Sequence, residues 1–393
     1  MSTVFIHIGQ CGNQLSLPMW QNFNLHKDDK STNQVFSALD GFHRCVHIDS
    51  EQKVVKSLPK TFKIRDKNII IGKRGRGNNF ALGYNGLHSS GDDQLLESGL
   101  DSIRKEVERC DVYTGSIVVH SLSGGTGSGL GSHLIENIRD EYPSKNILSC
   151  CVSPCASGES PLQSLNALLT IHWLQNYCDS IAFLQNDALV KYASKVKKDG
   201  TVPSVSFNDI NKHAANLLNG IFLPTDTLTT SKGTSLGQEP WELVRSLTPM
   251  PSLKFFVNAH SASSKMSWDA LTSKALLQCP KYNDSGIQNK SLSAVVVARG
   301  DSQNTFMYSV KEGLDKKLKR GLNFVNWNPY PLDCWTNKTS LTGIRDSSSI
   351  TVALNNSSII EPLNLILSRS LAKLNIGAYT HWYYRHGICK VRR

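Results

Sequence analysis

The 393-residue chain lacks any apolar run long enough to cross a bilayer, and no basic-then-apolar leader opens it, so membrane insertion is not expected. With no secretory leader, the sequons at Asn283, Asn289 and Asn337 are expected to stay unmodified. Its ten cysteines include no Cys-x-x-Cys pair, which removes the usual zinc spacings. Cys150 and Cys151 are neighbours, and a bond between them would be strained; reduced thiols are the expected state. No Gly-Lys-Ser/Thr follows a glycine-rich stretch, which excludes a P-loop. Gly-x-Gly-x-x-Gly also fails. From Gly125 and Gly127 the third glycine falls at Leu130, and from Gly127 and Gly129 it falls at Ser132. No internal repeat is visible.

What is present suits a soluble globular protein with two cores: 39% hydrophobic and 19% charged residues. The net charge of +11 suits an anionic partner, either nucleic acid or the acidic face of a protein polymer. The basic clusters are Lys73-Arg74-Gly75-Arg76, Lys316-Lys317-Leu318-Lys319-Arg320 and Lys390-Val391-Arg392-Arg393. None has the interleaved aromatics of a single-strand platform, so nucleic-acid binding is disfavoured.

The centre of the chain is Ser121-Leu122-Ser123-Gly124-Gly125-Thr126-Gly127-Ser128-Gly129-Leu130-Gly131. An apolar stretch at 116–120 reads as a buried strand before it. Leu130, Leu134, Ile135 and Ile138 mark one face of a helix behind it. Five glycines in eight residues at such a junction let backbone N–H groups and a helix N-terminus approach a phosphate, with Thr126 and Ser128 as added donors.

The same rhythm recurs. A strand at 3–8 runs into Gly9-Gln10-Cys11-Gly12, one at 45–48 ends at Asp49-Ser50-Glu51, and one at 69–71 leads into Gly72 to Asn79. A helix at 92–110, a strand at 147–152, a helix through Leu162 to Leu174 and a strand at 181–184 complete it. This predicts a doubly wound parallel sheet with helices on both faces, whose ligand sits beyond the carboxyl ends of the strands. A further helix starts at Ser206, capped with Asp209, and carries Ile210, Ala214, Leu217 and Ile221. Residues 225–240 read as a connector. Strand-like runs then fall at 253–257, 294–298, 323–327 and 350–354. Ile360, Leu363, Leu367, Leu371 and Leu374 mark the apolar face of a late helix. The expected fold is thus an α/β nucleotide-binding domain followed by a smaller α/β domain. Its expected segments are 1–205, 206–245, 246–377 and a short 378–393.

Gly-Gly-Thr-Gly-Ser-Gly together with Gly9-Gln10-Cys11-Gly12-Asn13-Gln14 resembles the tubulin superfamily. Arg104 to Asp111, Gly158-Glu159 with Gln163 and Asn166, Gln185 to Ala188 and Ser206 to Asn211 most resemble delta-tubulin, with the zeta group as the alternative. The resemblance implies GTP or GDP with Mg2+. By motif match Gln10 and Cys11 lie against the phosphates, and Ser123, Gly124, Gly125, Thr126 and Gly127 cradle them. Asn78 reaches the terminal phosphate, and Glu51 and Asp49 sit near the magnesium. Gln163 meets the ribose, Asn186 and Asn211 read the guanine, and Phe207 stacks on it. Taken alone, Phe207 reads as core, Asn186 as a loop cap and the two acids as a solvated turn.

Glu242, with Glu239 before it, matches the acidic position that completes hydrolysis on a neighbouring subunit's nucleotide. As an equal alternative it is a helix-start acid behind Pro240. The implied partners are other tubulin subunits in longitudinal contact and microtubule or centriole components. The implied place is the cytoplasm and cytoskeleton, at centrioles or basal bodies. The loop for lateral contacts looks shortened around 261–267, and the chain stops at Arg393 without the family's long final helix and acidic tail. Binding through that tail and ordinary wall polymerisation are therefore not carried over. The alternative function is a non-hydrolysing, GTP-bound capping or scaffold protein of microtubule ends. An unrelated nucleotide-dependent enzyme of the same fold is a third.

Overall fold

A computed structural model describes residues 2–26, 35–56, 58, 62–86, 94–158, 160–194, 206–225, 228–230, 233–235, 240–300, 303–341 and 347–388. The chain forms two compact units, one of residues 1–17, 36–211 and 363–393, the other of 18–35 and 212–362. No helix among the described residues is long and apolar enough to cross a membrane.

The first unit alternates strand and helix. Its elements are β1 (Ser2–Ile8), α1 (Gly9–Leu25, continuing past Leu17), β2 (Cys45–Asp49), β3 (Ile69–Ile71), α2 (Phe80–Asn85), α3 (Gln94–Glu108), β4 (Tyr113–Ser121), α4 (Gly131–Glu141), β5 (Asn146–Val152), α5 (Gln163–Tyr177), β6 (Ser180–Leu184) and α6 (Asn186–Ala193). The strands lie in the order β6-β5-β4-β1-β2-β3, and every neighbouring pair is parallel. Every residue of β1 and β2 is buried, as strands covered by helices on both faces must be. From β1 the chain winds outward through β2 and β3, then returns to place β4 on the other flank of β1. That reversal leaves a crevice beyond the carboxyl ends of β1 and β4.

Helix α7 (Phe207–Phe222) leads toward the second unit. Ser206 Oγ accepts the Asp209 N–H at 3.2 Å and donates to Asp209 Oδ2 at 2.8 Å, closing the helix start as its sequence predicts. After it come β7 (Leu228–Thr230), β8 (Gly233–Ser235), α8 (Trp241–Leu247), β9 (Phe255–Ser263), α9 (Trp268–Leu276), β10 (Ser291–Arg299), α10 (Gln303–Ser309), α11 (Asp315–Leu322), β11 (Leu332–Asn337) and β12 (Ser348–Asn356). In this unit β11 and β10 pair in parallel, while β10, β12 and β9 pair antiparallel. Leu271 and Ala275 of α9 pack with Val296 and Val352 of the strands in its core. From α12 (Ile360–Asn375) and α13 (Thr380–Arg385), residues 363 onward fold with the first unit.

Two expectations are corrected. Residues 323–327 form no strand beyond a single bridge between Phe324 and Ser291. Asn323 takes a left-handed conformation (φ 49°) that ends α11, and the strand comes later, as β11. The polar alternation of Leu332 to Asn337 hides it from an apolar-run reading. The connector at 225–240 carries β7 and β8, an antiparallel pair. Most of the loop at 24–33, the residues Glu159, Gln238 and Glu239, and the cluster at 390–393 lie outside the described residues.

Candidate functional site

The glycine stretch leaves β4 and turns through a wide π-type turn, Thr126–Leu130, into α4. Ser128 Oγ donates to Gly124 O and its N–H reaches the same carbonyl at 3.3 Å, which holds the turn open. The glycines divide into two kinds. A Cβ on Gly125 would lie 2.5 Å from Arg76 O, one on Gly127 3.0 Å from Ser121 N, and one on Gly129 2.2 Å from Phe80 O. These residues are small because protein backbone crowds them. A Cβ on Gly124 would meet nothing within 4 Å. Gly124 is thus the glycine of this loop with open space beside it.

Neighbouring strand ends close on the same loop. Gly9, with φ +70°, starts α1 so near that its missing Cβ would sit 3.0 Å from Gly127 N. Gln10 follows exposed and Cys11 half-buried. Asn13 Nδ2 donates to Gly9 O (3.0 Å) and Ile48 O (3.1 Å), tying the ends of β1 and β2. Ser50 Oγ and Thr126 Oγ1 are 2.6 Å apart, joining the segment after β2 to the glycine turn. Glu51 Oε1 lies where a Cβ on Gly75 would fall, so this acid borders the segment after β3.

Asn166 organises the set. Its Nδ2 donates to Asn78 O (2.7 Å) and Ser123 O (2.8 Å), while its Oδ1 accepts from Phe80 N (2.9 Å) and Tyr383 Oη (2.7 Å). The amide is fully buried and uses both donors and both acceptor directions. It fixes Asn78, exposed at φ 49°, beside the glycine loop. Neither Asn166, Ser50 nor Tyr383 was assigned a role from sequence. A polar amide set between Leu165 and Leu169 on α5, one turn after Leu162, is the available signal.

Burial pushes the Asp49 carboxyl up to about 6, with the nearby Glu51 charge adding to the effect. Asp49 Oδ1 accepts the Glu51 N–H at 3.4 Å. Burial likewise raises the Cys11 thiol to about 11, so it is a neutral thiol at pH 7. No cluster of three or more metal-binding side chains exists among the described residues. Two carboxylates with phosphate oxygens and water suit magnesium, which seldom uses an all-protein cage.

The remaining candidates are placed as follows. Gln163, half-buried at the start of α5, donates from Nε2 to Cys155 O at 3.2 Å. Asn186 begins α6, its N–H 3.4 Å from Ser153 Oγ, so both belong to segments following β5 and β6. Phe207 and Asn211 are one turn apart on α7, the ring 76% exposed. An exposed ring of that size corrects the reading of Phe207 as core. Glu242 lies in the second unit, in the first turn of α8, paired with Arg245 Nη2 at 2.8 Å.

A doubly wound sheet with glycine turns gathered at its reversal point describes a nucleotide-binding class. The family model for the Tubulin/FtsZ family, GTPase domain, matches residues 2–194. Residues 2–194 thus form a GTPase domain of the Tubulin/FtsZ family. It is 26% identical to the tubulin delta chain of Macaca fascicularis and 25% identical to that of Homo sapiens, covering 99% of this chain and 95% of each relative. It is 28% identical to the tubulin beta-1 chain of Glycine max, over 98% of this chain and 89% of that one. A GTPase-domain family implies a guanine nucleotide as ligand.

Proposed function

We propose that the chain is a delta-type tubulin that binds GTP or GDP with Mg2+ in the crevice beyond β1 and β4 and joins other tubulin subunits end to end. Its place would be the cytoskeleton, at centrioles or basal bodies. The observation that carries the reading is the linkage of the segments after β1, β2, β3 and β4 through Asn166, Asn13 and the Ser50–Thr126 bond. These bonds preorganise backbone donors around one point, as polyphosphate binding requires.

In this reading Gln10, Cys11 and the backbone N–H groups of Ser123 to Gly127 hold the phosphates. Gly124 gives them the closest approach, and Asn78 donates to the terminal group. Asp49 and Glu51 would hold magnesium, which when bound neutralises phosphate charge. Gln163 would hydrogen-bond a ribose hydroxyl. Asn186 and Asn211 would pair with the guanine edge, with Phe207 stacked on its face. Glu242 would take a proton from water attacking the terminal phosphate of an adjacent subunit's nucleotide. The Glu242–Arg245 ion pair favours a second reading, a GTP-bound cap or scaffold that does not hydrolyse, because the carboxylate is already engaged within its own helix.

Identifying the nucleotide that co-purifies with the chain, with and without magnesium, tests the proposal. Guanine nucleotide retained with magnesium and lost with chelator is expected. A preference for NAD, or no nucleotide, would overturn it.

A further inference from the structure

Helix α2 is short, and both of its ends are tied to groups far away in sequence. At its start Asn79 Oδ1 accepts the Leu82 N–H at 3.3 Å, and Asn166 Oδ1 accepts the Phe80 N–H at 2.9 Å. Asn78, the residue given to the terminal phosphate, stands two positions before the helix. In its middle, Gly83 leaves no slack: a Cβ there would lie 2.0 Å from Gly125 O and 3.0 Å from Gly129 Cα. At its end, Asn85 Nδ2 donates to His386 O at 2.6 Å. The helix therefore runs along the glycine turn, with Asn78 before one end and the segment 380–388 at the other.

That segment holds α2 at several points. Tyr383 is buried and packs with Phe80, Ala81 and Leu165. Its hydroxyl donates at 2.7 Å to Asn166 Oδ1, on the amide that also holds Asn78 O and Ser123 O. Gly387 takes φ +90°, which favours glycine, and a Cβ there would press on Asn85 Nδ2 at 2.9 Å. The Gly387 and Ile388 N–H groups return to Tyr384 O (3.3 Å) and Tyr383 O (3.1 Å), closing the segment on itself. Two hydrogen bonds, Tyr383–Asn166 and Asn85–His386, thus connect this segment to the groups that position Asn78.

We propose that Asn85 and Tyr383 are positioning residues through which the segment 380–388 sets the preference of the nucleotide site for GTP over GDP, a role that rests on the guanine-nucleotide reading of that site. The glycine turn meets phosphates common to both nucleotides, whereas Asn78 meets only the terminal phosphate of GTP. Loosening α2 at Asn85 carries Asn78 with it. The turn after β4 stays in place, because Ser128 holds it to Gly124 O from within. Lost alignment therefore costs GTP more than GDP. By linkage the effect runs both ways: GTP, which orders Asn78, tightens the segment 380–388 more than GDP does.

The test measures GTP and GDP affinity of the full chain with magnesium, by competition against a fluorescent guanine nucleotide. Asn85→Leu, close in size and without a donor, should weaken GTP about fivefold, the worth of about one hydrogen bond, and GDP by less than about twofold. Asn85→Gln keeps the amide and should fall between Asn85→Leu and the parent. Gly387→Ala presses on Asn85 from the other side and is the second variant. It should shift the GTP-to-GDP ratio in the same direction, with melting temperature as a check on its fold. In the parent, hydrogen exchange at the Gly387 and Ile388 amides should be slower with GTP than with GDP. A parent chain that binds neither nucleotide overturns the site reading and this role with it. A parent that binds both overturns this role alone if the variants lose GTP and GDP equally or lose neither, or if exchange at 387 and 388 ignores which nucleotide is bound.

Discussion

At the scale of single residues, the site separates glycines that face space from glycines that face protein. Gly124→Ala puts its methyl where nothing lies within 4 Å. It should change stability by less than about 0.5 kcal/mol and yet weaken GTP binding about tenfold, because in the proposed site the methyl would stand where the phosphates approach. Gly83→Ala is the opposite case. Its Cβ would lie 2.0 Å from Gly125 O. The gain in helix propensity, about 1 kcal/mol, is smaller than the overpacking cost of about 3 kcal/mol, so a net loss of melting temperature is expected. Asn166→Ala should cost about 3 kcal/mol, since Asn78 O, Ser123 O and the Tyr383 hydroxyl all lose a buried partner. Tyr383→Phe removes one of those bonds and should cost about 1 kcal/mol. Chemical denaturation checks all of these, and an Asn166→Ala chain as stable as the parent would remove the organising role given to that amide.

At the scale of elements, the central strands carry histidines where apolar residues would serve. His7 on β1 and His47 on β2 stack with ring centroids 4.7 Å apart, and His120 on β4 meets Ser149 Oγ of β5 at 2.8 Å. Burial lowers His7 to about 3 and His120 to about 4; His47 is held well below its usual value by burial and by the adjacent His7 and His43. Because folding depresses these values, the unfolded chain takes up protons first as pH falls below about 6.5, and stability drops from there downward. His120 alone should contribute a loss of roughly 3 kcal/mol by pH 4. His120→Gln should flatten the stability curve between pH 6.5 and 4 as measured by urea titration; an unchanged slope would mean the imidazole does not titrate on unfolding.

These same strands show what the chain reveals of itself. β1, β2, β4, β5 and β6 are readable because strands buried on both faces are short apolar runs, and the glycine turns mark where they end. β11 was missed because Leu-Asp-Cys-Trp-Thr-Asn has no such run. The packing of residues 363–393 with a unit mostly far earlier in sequence leaves no local trace. The outward stripe of α12, Leu367, Leu371 and Leu374, reads as core because periodicity gives a face without saying which side it meets. The glycine turn after β4 is legible from its motif, whereas Asn166 and Ser50 act through tertiary hydrogen bonds that no spacing encodes.

At the scale of the molecule, the net charge of +11 favours association with an acidic polymer face, and such association should weaken as salt shortens the screening length below about 10 Å. The proposed turnover depends on the same association. Within the first unit, Asp49 and Glu51 flank Ser50, whose hydroxyl meets Thr126 of the glycine turn; in the proposed site both carboxylates would hold a cation rather than activate a water nucleophile. A base must then come from elsewhere, and Glu242 belongs to the other unit, at the start of α8. Isolated subunits should therefore bind GTP and turn it over slowly, and added tubulin subunits should speed phosphate release. Glu242→Ala should leave GTP affinity intact and cut the stimulated rate by about 100-fold or more, the usual worth of a positioned general base. Stimulation that survives the substitution would exclude Glu242 as the base. Absence of any stimulation in the parent chain would favour the cap or scaffold, with the Arg245 ion pair as the reason that Glu242 stays idle.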